Sequence, residues 1–137
     1  MKYFEVKTSC NRLKNGELKP VTETYIVAAT SCVDADARIV EEVMPFGDFS
    51  VLAVRKSAVR EVFRDASGDK WYRCKVMHVS FDDKGTEKRS PLIVMVEADN
   101  FSNAHNNLLD AMKGTISNYQ IASIAETKII DILCPKA

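Results

Sequence analysis

Residues 2–7 read KYFEVK, and residues 70–75 read KWYRCK. Each stretch begins with a lysine followed by two aromatic residues, and the similarity continues through most of the two halves of the chain. A self-similarity of this length indicates two copies of one supersecondary unit. The duplication therefore determines the predicted fold.

The two copies align with only two single-residue slips. Offset 68 pairs Tyr3-Phe4 with Trp71-Tyr72, offset 69 pairs Tyr25-Ile26-Val27 with Val94-Met95-Val96, and offset 70 pairs Val62-Phe63 with Ile132-Leu133. Few paired residues are identical, but the apolar positions and the turn residues agree. Because the apolar positions determine which face of an element is buried, both copies are predicted to have the same fold.

The composition is that of an ordinary globular protein, with 137 residues, a formal net charge of +0 and 46% hydrophobic residues. Half of such a chain would bury only a marginal core, so we expect the copies to share one core. No apolar run approaches the roughly 20 residues that span a bilayer. Residues 1–6 lack the apolar centre of a signal peptide. We therefore expect a cytoplasmic protein without a membrane partner.

Each copy begins with a predicted β-hairpin. Asn15-Gly16 indicates the turn between strands 3–13 and 18–29, because this dipeptide readily supplies the positive φ angles of a tight hairpin turn. The second hairpin comprises residues 70–81 and 87–98, with its turn ending at Gly85. The run of apolar residues from 92 to 96 is typical of a strand that is covered on both faces.

A helix is predicted after each hairpin, starting at Ser31 and at Asn100, which are both good N-cap residues. The apolar residues of each helix recur at helical spacing and form one stripe. These residues are Ala35, Ile39, Val40, Val43 and Met44 in copy one and Ala104, Leu108, Leu109 and Met112 in copy two. We expect Pro45 and Gly47 to end the first helix and Gly114 to end the second.

A last extended segment closes each copy, at residues 49–63 and 118–133, and each is long enough for two strands or one bent strand. The predicted fold class is therefore α+β, with two tandem ββαβ(β) repeats and antiparallel sheets that are each packed by one helix. The first repeat covers residues 1–64 and the second covers residues 70–137. The polar residues 65–69 are the predicted linker.

The four cysteines, at positions 10, 32, 74 and 134, lack the close spacing of zinc or redox motifs. Cys74 aligns with Val6 and Cys32 aligns with Phe101, so we interpret both as reduced cysteines that serve as small hydrophobic residues. Cys10 and Cys134 receive no role from the sequence.

The sequence contains few features of an enzyme. His78 and His105 are isolated on a predicted strand and a predicted helix, and no phosphate loop or nucleophile elbow is present. The acidic residues of the first helix region are most simply a solvated face, because a metal site needs several oxygens that converge on one point. They are Asp34, Asp36, Glu41, Glu42 and Asp48. We predict no catalytic residue, no metal and no cofactor.

Basic residues are concentrated between positions 51 and 75, with seven basic residues against three acidic ones, whereas residues 126–131 lack this character. Basic strands with neighbouring aromatic residues are one way to hold single-stranded nucleic acid. The candidate nucleic-acid-binding residues are Arg55, Lys56, Arg60, Trp71, Arg73 and Lys75. The opposing interpretation is a solvated sheet face whose aromatic residues fill the core, and a pI near 6.7 favours it.

A second functional hypothesis is a module that binds another protein, a second copy of itself or a small ligand at the seam between the repeats. It predicts an apolar groove at that seam or a stable homodimer. Both hypotheses describe a non-enzymatic binding protein.

Several stretches resemble an uncharacterised conserved family of short proteins from gut bacteria and their phages, a domain of unknown function. The resemblance is carried by residues 3–7, 21–27, 35–42, 71–75, 112–115 and 121–127, and together they span nearly the whole chain. The resemblance implies a cytosolic protein of bacterial or phage origin. It implies no activity, ligand or catalytic residue.

Overall fold

The computed structural model describes residues 2–43, 49–113 and 118–135. The elements in chain order are β1 (Lys2–Lys14), β2 (Glu17–Ala29), α1 (Cys32–Val43), β3 (Phe49–Lys56), β4 (Val59–Phe63), β5 (Lys70–Phe81), β6 (Glu87–Ala98), α2 (Phe101–Met112), β7 (Tyr119–Glu126) and β8 (Ile129–Leu133). Each final extended segment thus forms two strands. The helix ends expected at Pro45, Gly47 and Gly114 lie outside the described residues.

Two long antiparallel hairpins open the copies, as the sequence predicts. β1 pairs with β2 from Lys2–Ala29 to Lys14–Glu17, and Asn15 and Gly16 form the turn with φ angles of 52° and 79°. Thr8 lies opposite Glu23 in this hairpin, and Val76 lies opposite Leu92 in the β5–β6 hairpin. The two registers match at offsets of 68 and 69, so the duplication is confirmed at the level of individual strand pairs.

Each helix begins at its predicted cap and packs on one face of a sheet. The Ser31 hydroxyl accepts a hydrogen bond of 3.1 Å from the Asp34 amide, and the Asn100 side chain accepts one of 2.8 Å from the Asn103 amide. Under α1 the core contains Phe4, Val6, Tyr25, Val27, Ala29, Ala35 and Ile39. Under α2 it contains Tyr72, Cys74, Val76, Val94, Val96, Ala98, Ala104, Leu108 and Met112. The α+β fold with a tandem repeat is therefore confirmed.

The last strand of each repeat is exchanged between the two copies. One sheet has the order β3-β1-β2-β8 and the other has the order β4-β6-β5-β7. β8 pairs with β2, and β4 pairs with β6, and both pairings are parallel. Each sheet therefore adds one parallel pair to the antiparallel pairs that the sequence predicts.

Two compact units follow from this exchange. Unit 1 comprises Met1–Ala58 with Lys128–Ala137, and unit 2 comprises Val59–Thr127. These units differ from the predicted domains 1–64 and 70–137, because β4 and β8 are each completed by the hairpin of the other repeat. Residues 65–69, predicted as the linker, connect β4 to β5 within unit 2. Their polar composition marks a loop correctly but does not mark a boundary between units.

In each unit, a side chain of the helix donates hydrogen bonds near the end of the exchanged strand. In unit 1, Arg38 of α1 donates hydrogen bonds to the carbonyls of Ala28 (2.8 Å), Leu133 (3.3 Å) and Cys134. In unit 2, the equivalent Asn107 donates to the Glu97 carbonyl (3.1 Å) and to the Asp65 carboxylate (2.9 Å). The helix thus contacts the exchanged strand β8 in unit 1 and the loop that follows the exchanged strand β4 in unit 2.

In the part of the chain that the structure describes, no helix has the length and apolar character needed to cross a bilayer.

Candidate functional site

The candidate site is a cavity of about 480 Å³ in unit 1. It opens where the inner face of the β1–β2 hairpin meets the end of α1 and the exchanged strand β8. Its lining residues are Thr8, Cys10, Asn11, Arg12, Glu23, Tyr25, Glu42, Val43, Ile130, Asp131 and Leu133. All of them belong to unit 1, and β8 reaches this position only because of the strand exchange.

Glu23 is the centre of the polar contacts in the cavity. Its carboxylate Oε1 accepts hydrogen bonds from the Cys10 thiol (3.0 Å) and from the Arg12 guanidinium (2.8 Å). Its backbone carbonyl accepts one from the Thr8 hydroxyl (3.2 Å). The Glu23 side chain is 13% exposed, whereas that of Arg12 is 53% exposed. Glu23 is therefore held inside the cavity, and Arg12 lies at its mouth.

The same carboxylate influences two weak acids beside it. The hydrogen bond to Glu23 raises the pKa of the Cys10 thiol above its ordinary value, and partial burial adds to the effect. Burial raises the pKa of Tyr25, and the charge of Glu23 raises it further. Both groups are therefore neutral hydrogen-bond donors at neutral pH. A thiol that stays protonated is a poor nucleophile, so Cys10 is not placed as a reactive cysteine.

Two further carboxylates line the cavity. Glu42 lies at the end of α1, where its Oε1 accepts a hydrogen bond of 3.1 Å from Arg38. Asp131 of β8 lies directly opposite Tyr25 in the parallel β2–β8 pairing, and its Oδ1 accepts a hydrogen bond of 2.8 Å from the Ile132 amide. The lining thus contains three carboxylates and one guanidinium.

Three polar residues of the cavity have apolar counterparts in unit 2, whereas Cys10, Arg12 and Asp131 correspond to the polar residues His78, Ser80 and Glu61. Thr8 is 1% exposed and corresponds to Val76, which is fully buried in the core of unit 2. Tyr25 corresponds to Val94, and Glu23 corresponds to Leu92. Val94 is a core residue of unit 2, and Leu92 packs against that core. Apolar residues at these three positions are therefore sufficient to stabilise the fold in unit 2, whereas unit 1 has polar residues there.

Unit 2 has a depression beside its own helix, and this depression has a different lining. It is bordered by Phe63 at the end of β4, by residues 64–66 of the following loop, and by Asn107, Asp110 and Ala111 of α2. The inner face of the β5–β6 hairpin is instead occupied by Val76 and Val94. The two copies therefore differ in polarity at positions 8, 23 and 25, on the inner face of the hairpin.

None of the cavity residues is among the binding residues predicted from the sequence, although the alignment of the two repeats shows the difference in polarity. Thr8, Glu23 and Tyr25 are unremarkable strand residues when they are read singly. Only the pairing with Val76, Leu92 and Val94 identifies polar residues at positions that face a core. The alternation of a strand shows which face is buried, so the comparison was available before the structure.

The residues that were predicted to bind nucleic acid lie on the strands β3, β4 and β5. Trp71, Arg73 and Lys75 lie on one face of β5, because alternate residues of a strand point to the same side. Arg73 and Lys75 are exposed, but Trp71 is only 3% exposed and the Arg64 guanidinium lies 5.4 Å from the centre of its ring. In this conformation Trp71 does not offer a free ring face on which a base could stack. The next residue, Tyr72, is also aromatic and belongs to the core of unit 2.

The remaining predicted residues are exposed and divided between the units. Arg55 and Lys56 belong to β3 in unit 1, and Arg60 belongs to β4 in unit 2. The Arg55 guanidinium lies 3.0 Å from the Glu5 carboxylate. The nucleic-acid-binding role of Arg55, Lys56, Arg60, Arg73 and Lys75 stays a prediction.

The cysteines behave differently from one another. Cys74 is a fully buried core residue, as predicted, and burial raises its pKa to about 11. The same interpretation is wrong for Cys32, which is exposed at the start of α1, and its counterpart Phe101 is exposed as well. Alignment with an apolar residue therefore did not imply burial at the first position of the helix.

Among the residues that the structure describes, no group of three or more His, Cys, Asp or Glu residues could hold a metal ion. Asp48 of the predicted acidic cluster lies outside that part of the chain. His78 lies on β5, and His105 is exposed on α2, so neither histidine lines the unit 1 cavity.

The fold and the cavity define a duplicated α+β protein with exchanged strands, in which one copy has a polar cavity and the other has apolar residues at three of the same core-facing places. Residues 2–136 match the model of a protein family described as a domain of unknown function, DUF4494. The chain belongs to this family, which confirms the resemblance seen in the sequence at the level of the family. No curated protein matches the sequence.

Proposed function

We propose that the protein is a non-enzymatic binding module for a small molecule, which it holds in the unit 1 cavity. One observation carries this proposal: Thr8, Glu23 and Tyr25 are polar where the second copy has the apolar residues Val76, Leu92 and Val94. Burying polar groups costs stability unless they gain hydrogen bonds. Thr8 and Glu23 have partners within the cavity, but among the described residues the Tyr25 hydroxyl has none, so its place on a core-facing surface calls for a compensating role. Contact with a ligand is such a role.

The size and lining of the cavity agree with this role. Small-molecule sites commonly enclose roughly 300–1,000 Å³ and combine an apolar wall with a few polar groups, and the unit 1 cavity has about 480 Å³. Val43, Ile130 and Leu133 supply the apolar wall, and Glu23 and Tyr25 supply polar groups. A polar group that is held in place by other contacts binds a ligand with little loss of conformational freedom.

Binding is favoured over catalysis by the state of the groups in the cavity. The only thiol in the lining is Cys10, which donates its hydrogen to Glu23 and has a raised pKa. A nucleophilic cysteine requires the opposite, namely a neighbouring positive charge or base that lowers the pKa.

A variant built from the sequence of the second copy tests the proposal. Thr8→Val combined with Glu23→Leu gives the cavity the residues found in unit 2 and removes the polar contacts around Glu23. The matched control is Thr22→Val with Glu17→Leu, which makes the same two changes at exposed positions of β2. Circular dichroism and the fluorescence of Trp71 verify that both variants are folded.

A ligand-observed NMR screen of a fragment library then compares the three proteins. The proposal predicts fragments that bind the wild type and the control alike and bind the cavity variant at least about tenfold more weakly, which corresponds to the loss of roughly 1.4 kcal/mol. The proposal fails if no fragment binds the wild type at millimolar concentration. It also fails if every binder retains its affinity for the cavity variant.

A second candidate function, association with single-stranded nucleic acid, is supported by the exposed cations Arg73 and Lys75 on one face of β5. Because the ring of Trp71 is covered, this mode would depend mainly on contacts with phosphate groups and would weaken steeply with salt. Fluorescence anisotropy with a single-stranded oligonucleotide at 50 mM salt tests it, using Arg73→Gln with Lys75→Gln as the variant. Absence of binding by the wild type would reject this candidate.

We further propose a cytoplasmic location and a bacterial or phage origin, as the sequence resemblance implies. Association with another protein or with a second copy of the chain is also a proposal. Light scattering of the purified protein distinguishes a monomer from a homodimer.

A further inference from the structure

We infer that the unit 1 cavity takes an organic cation, that is, a protonated amine or a guanidinium group carried on a small apolar body. This inference rests on the proposed function and names the chemical class of the ligand.

Carboxylates outnumber the cationic groups at the cavity. Glu23, Glu42 and Asp131 contribute three carboxylates against two guanidinium groups, that of Arg12 in the lining and that of Arg38, which is bound to Glu42. Arg12 is half-exposed at the mouth and is already bound to Glu23. An anionic ligand would therefore meet an excess of negative charge, whereas an ammonium group would be attracted in the low dielectric environment of a partly enclosed cavity.

Hydrogen-bond acceptors of the lining remain open. The Thr8 hydroxyl, the Cys10 thiol and one nitrogen of Arg12 already donate to Glu23. A carboxylate has about four acceptor positions on its two oxygen atoms. The contacts from Cys10 and Arg12 both use Oε1 of Glu23, and the contact from Arg38 uses Oε1 of Glu42. Glu23 and Glu42 thus keep acceptor positions on their carboxylates, and a ligand with N–H groups can bind there.

The Tyr25 hydroxyl is a further polar group of the cavity, separate from the carboxylates. Tyr25 is 7% exposed and lines the cavity. Among the described residues, no hydrogen-bond partner is found for this hydroxyl, yet no fully buried side-chain oxygen or nitrogen lacks a partner. The hydroxyl must therefore reach the open space of the cavity. A polar group that is nearly buried but still opens into a cavity is placed for contact with a ligand or with water.

The opposite wall of the cavity is apolar, and we therefore expect the ligand to carry an apolar group. Val43 of α1 and Ile130 and Leu133 of β8 line the cavity beside the Tyr25 ring. Inorganic cations gain nothing from such a surface, and no cluster suited to a metal is found in the described residues. An alkyl or aromatic group of a few carbon atoms would cover this wall and remove it from water.

Three probes of similar size separate charge from shape: benzylamine, benzyl alcohol and benzoate. Each is titrated into the ¹⁵N-labelled full-length protein at pH 7, and the shifts of the amides of Thr8, Glu23, Tyr25 and Asp131 are followed. The inference predicts that benzylamine binds at least about tenfold more tightly than benzyl alcohol, since a charge-assisted hydrogen bond contributes roughly 1.5–3 kcal/mol. Benzoate is predicted to bind most weakly.

The isosteric variants Glu23→Gln and Asp131→Asn are titrated in the same way. Both are predicted to weaken benzylamine about tenfold and to leave benzyl alcohol nearly unchanged. If Glu23→Gln disturbs the fold, as its amide spectrum would show, Asp131→Asn alone carries the comparison.

The outcomes separate this inference from the proposed function. Tighter binding of benzyl alcohol or benzoate at the same amides overturns the cationic ligand class and leaves the cavity as a binding site. Equal binding of the amine to wild type and both variants overturns it as well. If none of the three probes shifts these amides, the inference fails, and the fragment screen then decides whether the cavity binds any small molecule.

Discussion

Replacing Phe63 by alanine tests the strand exchange, because Phe63 belongs to the first repeat by sequence and to unit 2 by structure. The side chain is partly buried and packs against the core beneath α2, and its backbone pairs with Val96 of β6. Leu133 is its counterpart at offset 70, and it packs against the core beneath α1. The two substitutions Phe63→Ala and Leu133→Ala therefore form a matched pair with opposite expected locations.

The expected size of each effect follows from partial burial. Truncating a fully buried Phe to Ala costs roughly 3–5 kcal/mol, and the corresponding cost for Leu is roughly 2–5 kcal/mol. Because both side chains are only partly buried, we expect Phe63→Ala to lower the free energy of unfolding by about 2 kcal/mol and Leu133→Ala by about 1.5 kcal/mol. Both changes are large enough to measure by chemical denaturation.

The assay is the amide spectrum of each variant together with native-state hydrogen exchange. For Phe63→Ala the largest shift changes and the largest loss of protection are expected in β5, β6 and α2. For Leu133→Ala they are expected in β1, β2 and α1. The fluorescence of Trp71 adds a reporter that belongs to unit 2 alone.

The opposite assignment would refute the reasoning. If each repeat were closed by its own last strand, Phe63→Ala would disturb β1, β2 and α1, and Leu133→Ala would disturb β5, β6 and α2. That result would contradict the parallel pairings β4–β6 and β2–β8.

Three further predictions concern single side chains. Gly68→Ala should destabilise the protein by about 2 kcal/mol, because a Cβ atom there would lie 2.7 Å from the backbone nitrogen of Ala98; denaturation followed by Trp71 fluorescence measures this cost, and an unchanged midpoint would contradict it. Arg38→Ala should cost about 2–3 kcal/mol, because the carbonyls of Ala28 in β2, Leu133 in β8 and Cys134 just after β8 would lose a charged donor; faster amide exchange in β8 is the readout. Cys74 should lower stability at alkaline pH, because burial raises its pKa to about 11 and the folded state therefore disfavours the thiolate. Cys74 therefore leaves the free energy of unfolding unchanged below about pH 8.5 and lowers it as the pH rises towards 11. Comparing the free energy of unfolding of wild type and Cys74→Val at pH 7 and pH 10 tests this, and identical pH dependence would count against it.

The local elements could be predicted from the sequence because their causes are local. Asn15 and Gly16 specify the first hairpin turn through their positive φ angles, and Ser31 and Asn100 cap the helices through side-chain hydrogen bonds. The apolar spacing identified Ile39 and Leu108 as helix core residues, and both are fully buried. None of these inferences required knowledge of the other copy.

The strand exchange could not be predicted in this way. Alternation along residues 59–63 and 129–133 shows which side of a strand is buried but does not specify the strand with which it pairs. Because the two copies share one apolar pattern, either hairpin offers β4 a similar edge. The pairing of Val59 with Ile93 and of Thr24 with Ile129 became apparent only in the structure.

The candidate site could not be predicted from exposed charge. Arg55, Lys56 and Arg60 differ from their counterparts on surfaces where charge is weakly constrained. The difference between Glu23 and Leu92 lies at a core-facing position, where a polar residue costs stability and therefore says more about function. Within a duplicated chain, divergence at buried positions is the more informative kind.

The most direct test of the central claim is a map of the amides that shift when fragments from the screen bind the ¹⁵N-labelled wild type. The account predicts shifts at Thr8, Glu23, Tyr25 and residues 130–131 and little change at their counterparts Val76, Leu92, Val94 and residues 60–61. Shifts that appear equally in both units, or that fall along β5 at Arg73 and Lys75 instead, would contradict the assignment of the unit 1 cavity as the binding site.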